Sequence, residues 1–287
     1  YYLLQYIVPP FDLTIENVHL WFLAGVTGAF LITLVLEYPF VALIMTPGPL
    51  RWKSALRAVL LVNIVSYAGL TAWYWGASGT SLLTDFRIVP ACEMRLPEEY
   101  RLYRINREGT FVIATDLAGA AVLASQPIAA SGDDVRLFAV PNTAGSFDLH
   151  LYRGAIPPAK ECVERIASGF SRNAPVHPAI SRGFEDDDLG WIRHGLGPVP
   201  SIAAKPEWKF IVGWWPVEGL TGTKAKDGSR LHLAIETPFV AWSVRNATQL
   251  NNDYVVFQLG DDQICLLHPA TKRLALIARG RGCLVAE

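Results

Sequence analysis

Positive charge is missing from the start of this chain. No Lys or Arg occurs from Tyr1 to Leu50, and from Asn17 to Leu36 there is no Asp or Glu either. A second run free of all four, Ala58 to Thr84, follows Arg57. Charged residues are only 18% of the 287, against about 25% in an ordinary soluble domain. That scarcity argues against a disordered or coiled-coil chain. The 25 basic residues are matched by 26 acidic ones. No positive surplus remains to displace counterions from a phosphate backbone, so no nucleic-acid partner is expected. There is no CxxC pair, which leaves a zinc or thioredoxin-like site unsupported. Also absent are G-x-S-x-G, HExxH, Walker A and a GxGxxG after a strand. The six histidines, at 19, 150, 177, 194, 232 and 268, lack close metal-ligand spacing. The expectation leans away from an enzyme, with no cofactor predicted, although catalytic groups can converge from distant positions.

What is present is apolar length. Each charge-poor run reaches the roughly 20 residues that cross a bilayer. Transmembrane spans are expected over 17–46 and 57–84, joined by a loop at 47–56. The breaker cluster Thr46-Pro47-Gly48-Pro49 turns the hairpin, because proline lacks a backbone donor. Trp21, with Trp73 and Trp75, marks one membrane interface, and Trp52 marks the other. The loop and the first residue of the second span carry Arg51, Lys53 and Arg57 without an acid. By the positive-inside bias the loop faces the cytoplasm, and both termini are extracytoplasmic, either periplasmic or luminal. Residues 1–16 are expected to form an extramembrane or interfacial segment, the alternative being the remnant of a removed signal or earlier helix.

One acid interrupts the first span. Reflected about Leu50, Glu37 falls opposite Asn63, each about 20 Å along its helix from the turn. A carboxyl group at that depth is costly unless partnered or wetted. An interhelical contact between Glu37 and the Asn63 amide is expected, with Ser66 and Tyr67 one turn further on. The alternative is a Glu37 that reaches the interface and is hydrated. Gly25 with Ala29, and Ala68, Ala72 and Gly76, recur at the spacing that allows close helix approach. Pro39 should bend the first helix.

Residues 85–287 hold 22 of the basic and 23 of the acidic residues, enough chain for a real core. Strand patterns dominate: 86–89, 100–105, 110–115, 135–140, 147–152, 230–235, 239–244, 254–259, 263–267 and 273–278. A single helix is expected over 158–170, from apolar residues at Cys162, Val163, Ile166, Ala167 and Phe170. Two stretches, from Tyr100 and from Tyr254, share a strand–turn–strand–turn–strand pattern like a propeller blade or meander. The run His268-Pro-Ala-Thr-Lys-Arg-Leu-Ala resembles the turn of quinoprotein-like propeller blades, although it lacks the Gly usual after Thr and nothing else matches. The domain is long enough for four or five blades. The fold class is therefore a two-helix hairpin followed by a β-rich domain. An antiparallel sheet, a sandwich or a partial propeller-like arrangement is expected ahead of a closed propeller.

Other candidate sites lie in this domain. Cys92, Cys162, Cys265 and Cys283 permit two disulfides in three connectivities, or act as four free thiols. Glu185, Asp186, Asp187 and Asp188 form a carboxylate run near His177 and His194, a weak metal candidate without the alternating ligands of a calcium loop. Trp208, Phe210, Trp214 and Trp215 crowd beside Lys205 and Lys209. They could line a core, rest on a membrane or anchor a partner. Asn246-Ala247-Thr248 is a glycosylation sequon. Together these features suggest a non-catalytic integral membrane protein. It would be an accessory or structural subunit of a larger complex, with partners in the bilayer and among other subunits. The alternative is an anchored ligand-binding or sensor domain, and less so a tethered hydrolase.

Overall fold

The computed structural model describes residues 12–94, 100–119, 121–129, 135–154, 162–176, 195–203 and 205–287. Two long helices come first: α1 (Val18–Ile44) and α2 (Arg51–Gly76). Both are long and apolar enough to cross a membrane. Pro39 is accommodated inside α1. Arg51, Lys53 and Arg57 belong to the opening turns of α2, so the connection is shorter than the expected 47–56. The helices leave their apolar surfaces open: Val35 is 73% exposed and Leu61 65%. They touch along one narrow seam, where Phe30 meets Tyr67 edge-on at 5.2 Å and Tyr38 packs on Trp52 at 5.9 Å. Ala68, Ala72 and Gly76 lie outside that seam, on the exposed side.

Helix α2 ends at Gly76, before the expected boundary of 84. The charge-free run continues, but its last residues belong to the β domain. The short helix α3 (Ser81–Thr84) buries Leu82 completely. Apolarity alone cannot separate a residue facing lipid from one facing a protein core.

Among the described residues the β domain holds four main sheets. The first joins β2 (Arg101–Ile105), β3 (Phe111–Asp116) and β4 (Val122–Pro127) to the last strand of the chain, β18 (Arg281–Ala286), in the order β18-β2-β3-β4. The second is a meander of β5 (Val135–Pro141), β6 (Phe147–Arg153) and β7 (Cys162–Ser171). The third is β11-β10-β9-β8, from β8 (Gly197–Pro198), β9 (Trp208–Val212), β10 (Leu220–Lys224) and β11 (Arg230–Leu233). A small hairpin, β12 (Ile235–Glu236) with β13 (Ala241–Trp242), follows. The fourth sheet runs β14 (Val244–Gln249), β15 (Val255–Leu259), β16 (Gln263–His268) and β17 (Arg273–Arg279). The early strand β1 (Arg87–Ile88) is added in parallel at its edge.

Three apolar layers separate these sheets. One lies between the third and fourth, with Phe210, Leu220, Phe257 and Leu274. Another fills the space between the fourth and first, with Val256, Leu266, Leu102 and Val285. The last lies between the first and second, with Ile105, Leu137 and Leu151. Alternation along β15 sends Val255 and Phe257 to one layer and Val256 to the other, as the two-residue period of a strand requires. The arrangement is propeller-like, one of the three forms expected, and not the sandwich or irregular sheet. Its organising feature is the pairing of β18 with β2, a long-range closure that no local pattern announces.

The expected helix at 158–170 is corrected. Residues 162–171 form β7, pairing with β6 from Arg153↔Cys162 to Phe147↔Ser171. Gly169 at φ +60 interrupts any helix there, and a ready ladder partner outweighs a helical apolar pattern. The quinoprotein-like turn is a single 3₁₀ turn between β16 and β17, and Lys272 takes the left-handed position at φ 50 where that turn usually has Gly.

Candidate functional site

The expected polar pair meets. Asn63 Nδ2 donates to Glu37 Oε2 at 2.7 Å and to the Val59 carbonyl at 3.0 Å. Asn63 is only 4% exposed although most of α2 is open. One turn along, Tyr67 and Thr33 share a hydroxyl–hydroxyl bond of 3.1 Å, and Thr33 also donates to the Ala29 carbonyl. Thr33 was not anticipated; its spacing of four residues from Glu37 on α1 was the available signal. Ser66 faces outward and lies apart from this group.

The junction of helices and β domain is the most constructed region of the molecule. Ile15 and Val18 are fully buried in the layer between the third and fourth sheets, together with Leu82 and Phe86. The described stretch ahead of α1 is thus anchored in the core through Ile15. Its backbone is fastened as well, since Ile15 N–H donates to buried Gln263 Oε1 at 2.7 Å. Asp12 takes Arg279 at 2.8 Å and Arg107 at 3.2 Å, and both arginines also grip Asp262, at 2.8 and 2.7 Å. On the other side, Leu82 N–H donates to the Ala234 carbonyl, and Ala234 N–H to Ser81 Oγ, both at 2.9 Å. Phe239, from the β12–β13 turn, lies edge-on to Phe22 at 6.3 Å and packs over Gly25. A Cβ on Gly25 would come within 3.2 Å of that ring. The small residue Gly25 therefore serves helix–domain contact.

The tryptophans divide. Trp208 and Phe210 are core, stacked at 5.9 Å. Trp214 and Trp215 are 57% and 62% exposed, at the tip of the β9–β10 hairpin. Trp73 and Trp75 are exposed at the end of α2, and Trp21 is partly covered.

All four cysteines are free thiols, so none of the three disulfide connectivities is formed. Cys265 on β16 and Cys283 on β18 lie in different apolar layers, on opposite sides of the fourth sheet. Burial pushes the thiol pKa of both upward, that of Cys283 to about 12. Cys92 and Cys162 are exposed. The acidic run 185–188, with His177 and His194, lies outside the described residues. Among the described residues no three His, Cys, Asp or Glu side chains gather in a metal-binding group. Asn246 of the sequon is 6% exposed and donates to Gln258 Oε1 at 3.0 Å, which closes it to modification in the folded chain.

One carboxylate is strongly tuned. Asp148 accepts from Asn142 Nδ2 at 2.8 Å, Gly169 N–H at 2.9 Å and Ser168 Oγ at 3.1 Å, with Arg165 at 3.4 Å. The Asn142 bond and then the Gly169 bond hold its pKa down at about 2. This is a brace linking β6 to β7. Two open clefts flank the junction. The larger, about 370 Å³, is lined by Asp12, Arg107, Trp242, Asp262, Arg279 and Arg281, among others. A neighbour of about 280 Å³ includes Leu13, Phe239 and Arg245.

The chain matches no known protein-family model and no curated protein. Two solved structures show a distant likeness. The dihydro-heme d1 dehydrogenase NirN, in complex with DHE, is 13% identical over 65% of this chain and 35% of its own, at a TM-score of 0.17. Apo AztD from Citrobacter koseri is 12% identical over 60% of this chain and 68% of its own, at 0.19. The chain thus spans about a third of the length of the first. Similarity at this level carries no argument about fold or function.

Proposed function

We propose that this chain is a non-catalytic integral membrane protein, with α1 and α2 crossing the bilayer and the β domain bracing partner subunits of a larger complex. The observation that supports this most is the fused core: Ile15, Val18 and Leu82 pack between two sheets. A flexible tether would let the domain wander. A shared core instead transmits a fixed orientation from membrane to domain. The open apolar faces of both helices offer surface to lipid or to other helices, as association within bilayers requires. The basic Arg51, Lys53 and Arg57 beside the connection support a topology with the connection in the cytoplasm and the β domain outside.

Purification of the full chain in mild detergent, followed by native mass spectrometry, tests the proposal. The expected result is a complex of fixed stoichiometry containing other membrane subunits. A lone monomer whose melting temperature rises with a small ligand would replace it with the sensor reading, and the 370 Å³ cleft would then be the place to look.

A further inference from the structure

We infer that the β9–β10 hairpin tip, Trp214-Trp215-Pro216-Val217, is a third membrane attachment that enters the headgroup layer of the leaflet where α2 emerges. This rests on the membrane-spanning reading of α1 and α2. Three observations carry it.

The first is depth. Phe239 packs over Gly25, seven residues into α1. At 1.5 Å per residue that is about 10 Å along the helix from Val18. The lower edge of the β domain therefore already overlaps the apolar length of α1. The second is continuity. A Cβ on Gly79, three residues past the end of α2, would lie 3.4 Å from both Val217 Cγ2 and the Glu236 carbonyl. The hairpin tip and the β12–β13 hairpin that carries Phe239 thus adjoin one another at the exit of α2. Trp73 and Trp75, 73% and 70% exposed, lie on the last turn of that helix. Trp214 and Trp215 extend the same aromatic level onto the domain, where amphipathic rings favour the interface.

The third is the turn's own chemistry. Backbone groups that enter a water-poor layer must be paired internally. Here Glu218 Oε2 accepts from Trp214 N–H at 2.6 Å and from Trp215 N–H at 3.3 Å. The Trp215 carbonyl accepts from Glu218 N–H at 2.9 Å and Gly219 N–H at 3.1 Å, and Gly213 N–H donates to the Gly219 carbonyl at 2.8 Å. Pro216 has no N–H to place. Gly219, at φ +48, is pressed against the Leu233 carbonyl, where any Cβ would collide. The tip is a preformed wedge with its rings outward and the N–H groups of Trp214, Trp215, Glu218 and Gly219 occupied. Together with two helices, a third contact fixes the domain's tilt on the membrane.

The test uses the full chain in phosphatidylcholine vesicles brominated near the head of the acyl chains, at high lipid-to-protein ratio. Trp214→Phe/Trp215→Phe and Trp73→Phe/Trp75→Phe are compared with the unaltered chain. Both double variants should lose lipid-quenchable tryptophan emission. Loss in the α2 variant alone overturns the inference and leaves the spanning helices standing. Loss in neither overturns both. Hydroxyl-radical footprinting of the unaltered chain in the same vesicles avoids any folding defect of the variants. Trp214 and Trp215 should be protected relative to exposed Phe111 on β3. Oxidation of both as readily as Phe111 overturns the wedge.

Discussion

Asn63 shows how much a single amide can decide. It is buried between two helices whose surfaces are otherwise open, and it spends both donors, one on Glu37 and one on its own helix. Interhelical bonds of this kind are worth on the order of 0.6–2 kcal/mol. Glu37→Gln retains an acceptor and should leave assembly intact, whereas Glu37→Leu should lower the melting temperature of the purified protein. Equal behaviour of the two variants would remove any role for the bond. Gln263 offers a second case. Gln263→Leu strips the Ile15 N–H of its acceptor inside the core, which should cost about 1–3 kcal/mol, read by thermal or denaturant unfolding. The cysteines give a third. Alkylation of the native chain at neutral pH should modify Cys92 and Cys162 only, with Cys265 and Cys283 reacting after unfolding, as counted by mass spectrometry. Burial and raised thiol pKa values both protect the latter pair. The polar pair was legible because a hairpin reflects its positions about the turn. Gln263 was not, since its partner is 248 residues away.

Among the elements, the β6–β7 hairpin carries the clearest pH signature. Asp148 has its pKa held at about 2, below the ordinary value near 3.9. The carboxylate form is the one its partners stabilise. Its contribution is therefore complete above the ordinary carboxylate range and is lost as pH falls toward about 2. Asp148→Asn should melt earlier than the parent at pH 6, and the gap should close between pH 4 and 2. A gap that persists to pH 2 would exclude this linkage. The same hairpin contains the largest misreading of the sequence. Apolar residues at 162, 163, 166, 167 and 170 satisfy a helical period, yet β6 offers ladder bonds along its length. Over ten residues the period alone cannot arbitrate between the two. The helices were easier. Long charge-free runs have few alternatives, and only their ends were misplaced, where α2 stops at Gly76 and apolar chain continues into the domain core.

At the scale of the whole molecule, the residues flanking the helices share an apolar core with the β domain. A chain beginning at Ser81 would lack Ile15 and Val18, and each fully buried aliphatic side chain of this size contributes roughly 1.5–3 kcal/mol. Such a fragment should melt lower than the chain from Asp12 in the same detergent, or aggregate. Equal stability would show that the pre-helix segment is dispensable. Topology can be read from the native cysteines, because Cys92 and Cys162 are exposed on the β domain and the helices contain none. A membrane-impermeant maleimide added to intact cells or spheroplasts should label the chain if the domain lies outside. Labelling only after lysis would reverse the assigned orientation.

Composition by itself determined that two apolar helices precede a domain of short strands, because burying charge in apolar surroundings costs so much that its absence over 20 residues has few other meanings. The Glu37–Asn63 register also followed from sequence, since both lie in regular helices joined by a short turn. Only the tertiary structure decided which end of each apolar run belongs to the core and that β18 closes on β2. It also separated Trp208 and Phe210 inside from Trp214 and Trp215 outside. The reason is the same in each case. Hydrophobicity states that a residue will leave water, but what it moves against depends on partners brought together from other parts of the chain.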